Sequence, residues 1–496
     1  MLFSFVEEGV TEELDIPRHW QLHRLDLKRD LGELEPFLVG GVEDLAQRAR
    51  LRGARHRQGF VLGPDGRPDP RVNACLTSAK WRNLGRETEK DYSYSLVVWL
   101  NFLHILGAQW WEATEDHAEE FLFWRVTDPA NGERIQTNSF SRDLAGLKKF
   151  YRWVGRKYGI ANPFEDFDAP PIARRSNVKW FDPAGFARWL ALGIRGMDLD
   201  GRPDQWWRGR NEQRDTAFCQ GLYGNGLRVA EWASVVIPEL PHYDRRRHYY
   251  AGHLADACAK KGYGHPYWTP QSAMRGVLSY MEGPRAAAVR RAQQAGRYER
   301  VQDRRTVLAT HGTDAVTLER PGGGTEKWLW NDVGKLTRLR LFRRTEQGLE
   351  PVALWLNEDG LPRVWTGWEH TFKAANERIE ALGLEGFVCS AHMLRHSCAL
   401  KWYSIGKLVR AAQLGHLGEE ERADFREEFG STWHLVQTML GHRSVETTKE
   451  VYLEPFRILD VEVLLAHAEG FPVAAFMADV FANHPRVRTD PLAAIR

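Results

Sequence analysis

Hydrophobic residues recur at three- and four-residue steps through much of this chain. Tyr92, Leu96, Leu100 and Leu103 share one face of a helix predicted over 88–106, and Gly107 follows as a stop. The same spacing predicts helices over 116–125 (Phe121, Leu122, Trp124) and over 139–158 (Leu144, Leu147, Phe150, Tyr151, Val154). Gly159 to Pro163 then breaks the pattern. Residues 77–165 therefore read as a compact helical domain. Residues 1–76 form an N-terminal extension with no legible function. It contains a short helical pattern over 42–51 and the turn-rich run from Gly63 to Pro70.

Beyond a linker at 166–178, stiffened by Pro170 and Pro171, the pattern becomes mixed. Arg174 and Arg175 suit a strap along a polyanion, and equally a plain exposed linker. Helices are predicted over 182–192, 213–223, 228–234, 271–294 and 368–382, with strands near 248–252, 265–269 and 352–356. Asn357 to Gly360 is a turn. A final apolar pattern over 464–481 ends in a polar tail. It would pack on a neighbouring protomer or fold back on its own domain. The fold class is mainly α with a small antiparallel β component. A helical domain precedes a mixed α+β domain at 179–460, and 461–496 forms a C-terminal helix and tail. No internal repeat is evident.

Composition narrows the class without naming it. The 496 residues, 43% hydrophobic and 27% charged, suit a globular protein of several domains. The twenty tryptophans read as large aromatic cores. A net charge of +2 does not announce a nucleic-acid binder, yet arginines cluster at 245–247, 285–305 and 338–344. Each run alone reads as a solvated face. Beside a phosphodiester-handling motif, the same runs read as phosphate contacts. The five cysteines are scattered, without a Cys-x-x-Cys, so neither a zinc ribbon nor a disulfide framework is expected. With no apolar leader and no run long enough to span a bilayer, a cytoplasmic protein is expected.

Chemistry concentrates towards the C-terminus. His392 and Arg395 form a His-x-x-Arg pair three residues apart, which a helix places on one face. Leu440-Gly441-His442 follows, with Ser444 able to cap the next helix, and Tyr452 stands ten residues after His442. Upstream, Gly224-Asn225-Gly226-Leu227-Arg228 opens a helix on which Glu231 can hold the Arg228 guanidinium. Leu414-Gly415-His416 repeats the later tripeptide, but no tyrosine follows it. A tyrosine hydroxyl, with a pKa near 10, is a weak nucleophile, and a phosphodiester repels it. In-line attack builds negative charge on the non-bridging oxygens, which fixed guanidinium donors can stabilise. The histidines at 392, 396, 434 and 442 do not match a common zinc spacing, and no cofactor is expected.

In this order Arg228, His392, Arg395, His442 and Tyr452 resemble the tyrosine recombinase (phage integrase) family, and the likeness spans roughly 77–460. It implies a helical core-binding domain and a catalytic domain that grip double-stranded DNA as a clamp, with four protomers at synapsis. It implies site-specific recombination or integration for a mobile element, with Tyr452 as nucleophile forming a 3′-phosphotyrosyl link. Arg228, Arg395 and His442 would stabilise the transition state, supported by Glu231, while His392 assists. The family's hairpin lysine falls at Lys261, with Lys260 adjacent. Two stretches, near 306–345 and 405–429, read as insertions. A type IB topoisomerase, a telomere-resolving enzyme and a catalytically inactive DNA-binding relative share these residues and remain alternatives.

Overall fold

A computed structural model describes residues 19–27, 51, 54–167, 179–320, 323–414, 436–437, 439–440, 487–488 and 490–492. The chain divides into two compact units, Met1–Arg174 and Arg175–Arg496. Both are mainly helical, with small sheets. The helical patterns expected at 42–51 and 464–481 lie outside the described residues, apart from Leu51.

In the first unit an antiparallel strand pair, β1 (Gln21–Arg24) and β2 (Gly59–Leu62), precedes α1 (Pro70–Leu76), α2 (Ala79–Arg82), α3 (Arg86–Ile105), α4 (Glu115–Leu122) and α5 (Thr137–Tyr158). Sequence signals set the ends. Asp69 caps α1 by accepting the backbone N–H of Arg71 (2.7 Å) and Val72 (3.1 Å), and Pro70 sits where no donor is needed. Gly159 ends α5 with φ +70°, a left-handed conformation that glycine adopts without a steric penalty. The apolar faces of α3 and α5 meet in a core with Trp99, Leu100, Phe121, Leu147 and Phe150. Val61, Val72 and Leu76 join the same core from upstream. A hydrogen-bond chain crosses it: Trp99 Nε1 donates to the Tyr151 hydroxyl (2.9 Å), which donates to the Trp110 carbonyl (2.7 Å).

The second unit opens with β3 (Trp180–Phe181) and α6 (Pro183–Trp189), then α7 (Glu212–Asn225) and the short α8 (Val229–Trp232). The antiparallel hairpin β4 (Tyr249–Leu254) and β5 (His265–Pro270) is paired from Tyr249↔Pro270 to Leu254↔His265. The helix expected over 271–294 runs through without a break: α9 (Gln271–Tyr280) continues by a π-helical turn at Met281–Arg285 into α10 (Ala286–Gln294), and Pro284 in that turn supplies no backbone N–H. Around α7 the core is aromatic: Phe218 stacks on Trp368 and meets Trp355 edge-on.

The stretch expected as an insertion is a five-stranded sheet ordered β10-β9-β6-β7-β8. Its strands are β6 (Arg305–His311), β7 (Ala315–Glu319), β8 (Thr325–Leu329), β9 (Leu341–Thr345) and β10 (Gly348–Pro351), with α11 (Lys335–Arg338) between β8 and β9. The β6–β9 pair is parallel and the others are antiparallel. The sheet buries its own small core of Val307, Val316, Leu318, Trp330 and Leu341. The strand expected over 352–356 is instead a buried, bent segment that carries isolated bridges, Val236↔Ala353 and Leu356↔Pro362. A side chain stands where a partner strand would: Arg285 donates to the carbonyls of Pro351 (2.7 Å), Ala353 (3.0 Å) and Leu354 (3.1 Å).

Two helices follow, α12 (Gly367–Ala381) and the long α13 (Ala391–Leu414), which packs on α7 and runs into the stretch read as the second insertion. Near the C-terminus, β11 (Val487–Arg488) pairs in parallel with β3, and Asp490 grips Arg188 through two contacts of 2.9 Å.

Candidate active site

The reversal between α7 and α8 builds the first part of the site. Gly226 ends α7 with φ +68°, and Arg228 stands at the N-cap of α8. A Cβ at Gly226 would lie 3.0 Å from both Cys398 Sγ and Leu440 Cδ2, so glycine also permits the approach of α13. On α8, Glu231 turns back on its own helix start. Its carboxylate accepts the Arg228 guanidinium (2.8 Å) and the Arg228 backbone N–H (2.9 Å). It also accepts the backbone N–H of Lys260 (3.2 Å), which ties α8 to the turn between β4 and β5.

Glu231 is 1% exposed, whereas the Arg228 side chain keeps 26% exposure, so the pair is buried on its acidic side and open on its basic side. Burial pushes the Glu231 carboxyl upward. The Arg228 and Arg395 guanidinium groups more than offset this and hold it below the usual carboxylate range.

Arg395 arrives from α13 with only 3% exposure. Its guanidinium donates to the Gly226 carbonyl and to the Leu440 carbonyl, the latter at 2.7 Å. Arg228 and Arg395, far apart in sequence, therefore meet around one helix end. His392 lies one turn before Arg395 and is exposed at the rim. Partial removal from water, then the cations of Arg395, Arg228 and Lys260, hold its imidazole below its ordinary pKa, with Glu231 opposing.

Arg228, Glu231, His392, Arg395 and the backbone of Lys260 are thus brought together. Lys261 lies in the same turn, Lys260–Gly262, but its side chain is outside the described part, as are His434, His442 and Tyr452. The Leu440 carbonyl held by Arg395 stands two positions before His442 in sequence. Among the described residues no three His, Cys, Asp or Glu side chains gather as a metal-ligand set. None of the described helices is long and apolar enough to cross a membrane.

One site neighbour was not read from the sequence. His265, on the buried face of β5, is 5% exposed. Its Nδ1 bonds the Pro266 carbonyl at 2.9 Å, so that nitrogen carries the proton, and Nε2 has no partner among the described residues. Burial lowers its pKa, while Glu231, Arg395 and Arg228 all act on it electrostatically. The available signal was the β-alternation that puts His265 on the same side as Tyr267, which meets Trp232 of α8.

Residues 79–157, within the first unit, match the family model described as the phage integrase N-terminal SAM-like domain. No curated protein matches the chain. Among solved structures it is similar to the XerH site-specific recombinase bound to a palindromic difH substrate in a post-cleavage complex. That likeness has 13% identity and a TM-score of 0.44, covering 80% of this chain and 84% of the other. It is similar to the Tn1549 transposon integrase in complex with circular intermediate DNA (14% identity, TM-score 0.42, covering 77% and 94%). It is also similar to a lambda integrase dimer bound to a COC′ core site (10% identity, TM-score 0.39, covering 75% and 90%).

Proposed function

We propose that this chain is a site-specific DNA recombinase that cleaves and rejoins duplex DNA through a 3′-phosphotyrosyl intermediate. The observation that carries this reading is the convergence of Arg228 and Arg395 around the α7–α8 reversal, with Glu231 fixing the first guanidinium. Two rigid cations in a half-buried site can hold the non-bridging oxygens of one phosphodiester and stabilise the charge that grows there during attack.

In the proposed reaction the Tyr452 oxygen bonds to phosphorus as the P–O5′ bond breaks. His392, whose depressed pKa leaves it neutral near pH 7, takes the phenol proton. Lys261, or Lys260 beside it, gives a proton to the departing 5′ oxygen. His442 joins the arginines on the phosphate. The phosphotyrosyl bond conserves the energy of the broken bond, so a 5′ hydroxyl from a partner duplex reverses the step without ATP. The helical region at 77–165 and the catalytic region at 179–460 grip the DNA as a clamp, joined by 166–178. Four protomers assemble on two synapsed sites in the cytoplasm.

A nicked suicide duplex tests the chemistry. The native chain forms a covalent adduct, and Tyr452→Phe forms none while binding DNA as before. An adduct with Tyr452→Phe would sink the assignment of the nucleophile. Relaxation of a plasmid lacking any recombination site would indicate topoisomerase activity instead.

A further inference from the structure

The inserted sheet does more than hang from the second unit. The connection between β8 and β9, from Trp330 to Arg338, is fastened against the turn that carries Lys260 and Lys261. Asn331 accepts the Asp256 backbone N–H (2.8 Å) and donates to the Asp256 carboxylate (2.6 Å). Cys258 Sγ donates to the Val333 carbonyl at 3.5 Å. From the far end of α11, Arg338 reaches the Ser234 carbonyl (3.1 Å), and the Ser234 hydroxyl donates to the Glu231 carbonyl (2.7 Å). Lys335, at the start of α11, therefore stands on a segment tied at one end to the β4–β5 turn and at the other to the end of α8, and is half-buried.

The charged groups of the site act on its amine: Glu231 favours the cation and Arg228 opposes it. No hydrogen bond or ion pair to it is found among the described residues, because Glu231 already serves Arg228 and the Lys260 backbone. A half-buried ammonium that feels the Arg228 guanidinium, while the Glu231 carboxylate is engaged elsewhere, is poorly compensated in the free protein. An arriving phosphodiester supplies the missing anion, and the added charge of the transition state supplies more, so the attraction grows along the reaction.

We propose that Lys335 is a phosphate-contacting residue of the cleavage site, delivered by the inserted segment to act beside Arg228 on the non-bridging oxygens. The assignment rests on the phosphotyrosyl reading of the same pocket. Burial holds the Lys335 amine below its ordinary pKa, as expected of a cation waiting for its partner.

The test uses the full chain and a pool of nicked duplexes of randomised sequence, from which covalent adducts are captured in a single turnover at saturating DNA. Lys335→Ala and Lys335→Met should slow adduct formation about 10²-fold, the loss typical of one donor to a developing oxyanion. The methionine variant keeps the apolar stem, so a loss shared by both variants, with thermal midpoints unchanged, is not a packing effect. Lys335→Arg should recover most of the rate. Three results would overturn the proposal: native rates in the alanine and methionine variants, no recovery with arginine, or recovery of the alanine variant on duplexes whose 5′ bridging oxygen is sulfur. A thiolate leaves without needing a proton, so that last rescue would make Lys335 a proton donor to the leaving group. Equal adduct from the native chain and Tyr452→Phe would instead sink the phosphotyrosyl reading itself, and the assignment of Lys335 with it.

Discussion

The Arg395 guanidinium donates to the carbonyl of Gly226, so the glycine that turns the chain towards Arg228 also holds the second arginine. One backbone carbonyl thus couples the two positive groups of the site. A shift of the α7 end would displace both together, which separates this arrangement from two arginines that merely lie near each other.

Gly226→Ala should therefore be costly for two reasons. The left-handed φ of +68° penalises any Cβ, and that Cβ would crowd Cys398 and Leu440 at 3.0 Å. Together the terms come to about 2–4 kcal/mol. Gly159→Ala is the control: its φ is +70° but nothing lies within 4 Å of the added Cβ. Only the backbone term of about 1–2 kcal/mol applies there. Chemical denaturation of the two variants should rank them in that order, and equal losses would show that the crowding is relieved at little cost.

Glu231→Gln should weaken the hold on Arg228 and slow adduct formation about tenfold or more. It should also change how stability depends on acidity. The folded carboxyl titrates below its ordinary 4.5, so the folded chain binds fewer protons than the unfolded chain in that range. The stabilisation is full above 4.5 and is lost as pH falls through the folded value. Denaturation between pH 3 and pH 6 should show the native advantage over the glutamine variant shrinking towards the acid end. A constant gap would exclude the ionised carboxylate as its source.

His265 titrates in a different window. Its folded pKa lies below the ordinary 6.5, so the unfolded chain takes up the proton first. Stability from this group is complete above 6.5 and is lost as pH falls from there to the folded value. His265→Phe forfeits the bond to the Pro266 carbonyl but buries no unpaired nitrogen, so at pH 8 the change should stay within about 1 kcal/mol. Thermal melts from pH 8 to pH 5 should fall less steeply for the phenylalanine variant. A slope equal to that of the native chain would assign the effect to other groups, His392 first among them.

Arg338→Met should destabilise the second unit by about 3–5 kcal/mol, the cost of leaving a buried carboxylate alone. Arg338 is 2% exposed and grips Glu239 through two contacts of 2.5 and 2.8 Å. Adding Glu239→Leu to the same chain should restore part of the loss, since the orphaned charge is then gone. A double variant no better than the single one would place the damage in the bonds from Arg338 to backbone carbonyls instead.

The sequence was most legible where a local rule decides the outcome. The helices α3 and α5 follow from apolar spacing, and α5 ends at Gly159 as expected. The arginine capping α8 was legible because Gly226, Arg228 and Glu231 stand within six residues. The buried run from Val352 to Leu356 looks like a strand by the same local logic, yet Arg285 satisfies its neighbouring carbonyls, and no local pattern encodes that. The five-stranded sheet was hidden for a related reason. Its β6–β9 pairing joins strands distant in sequence, and β6 exposes Leu308 to Thr310, blurring the alternation. His265 and Lys335 became visible only once β5 and α11 were placed against α8.

The Arg338–Glu239 contact bears on how this chain could be shortened. A hairpin-like addition on a surface can normally be trimmed back to its two stems with little harm. Here, excising the five strands with α11 would strip Glu239 of its counter-ion, the Ser234 carbonyl of a donor and Asp256 of its amide partner, all on the parent scaffold. A minimal version would have to redesign those three positions at once, so the added sheet has become a keystone of the unit that hosts it.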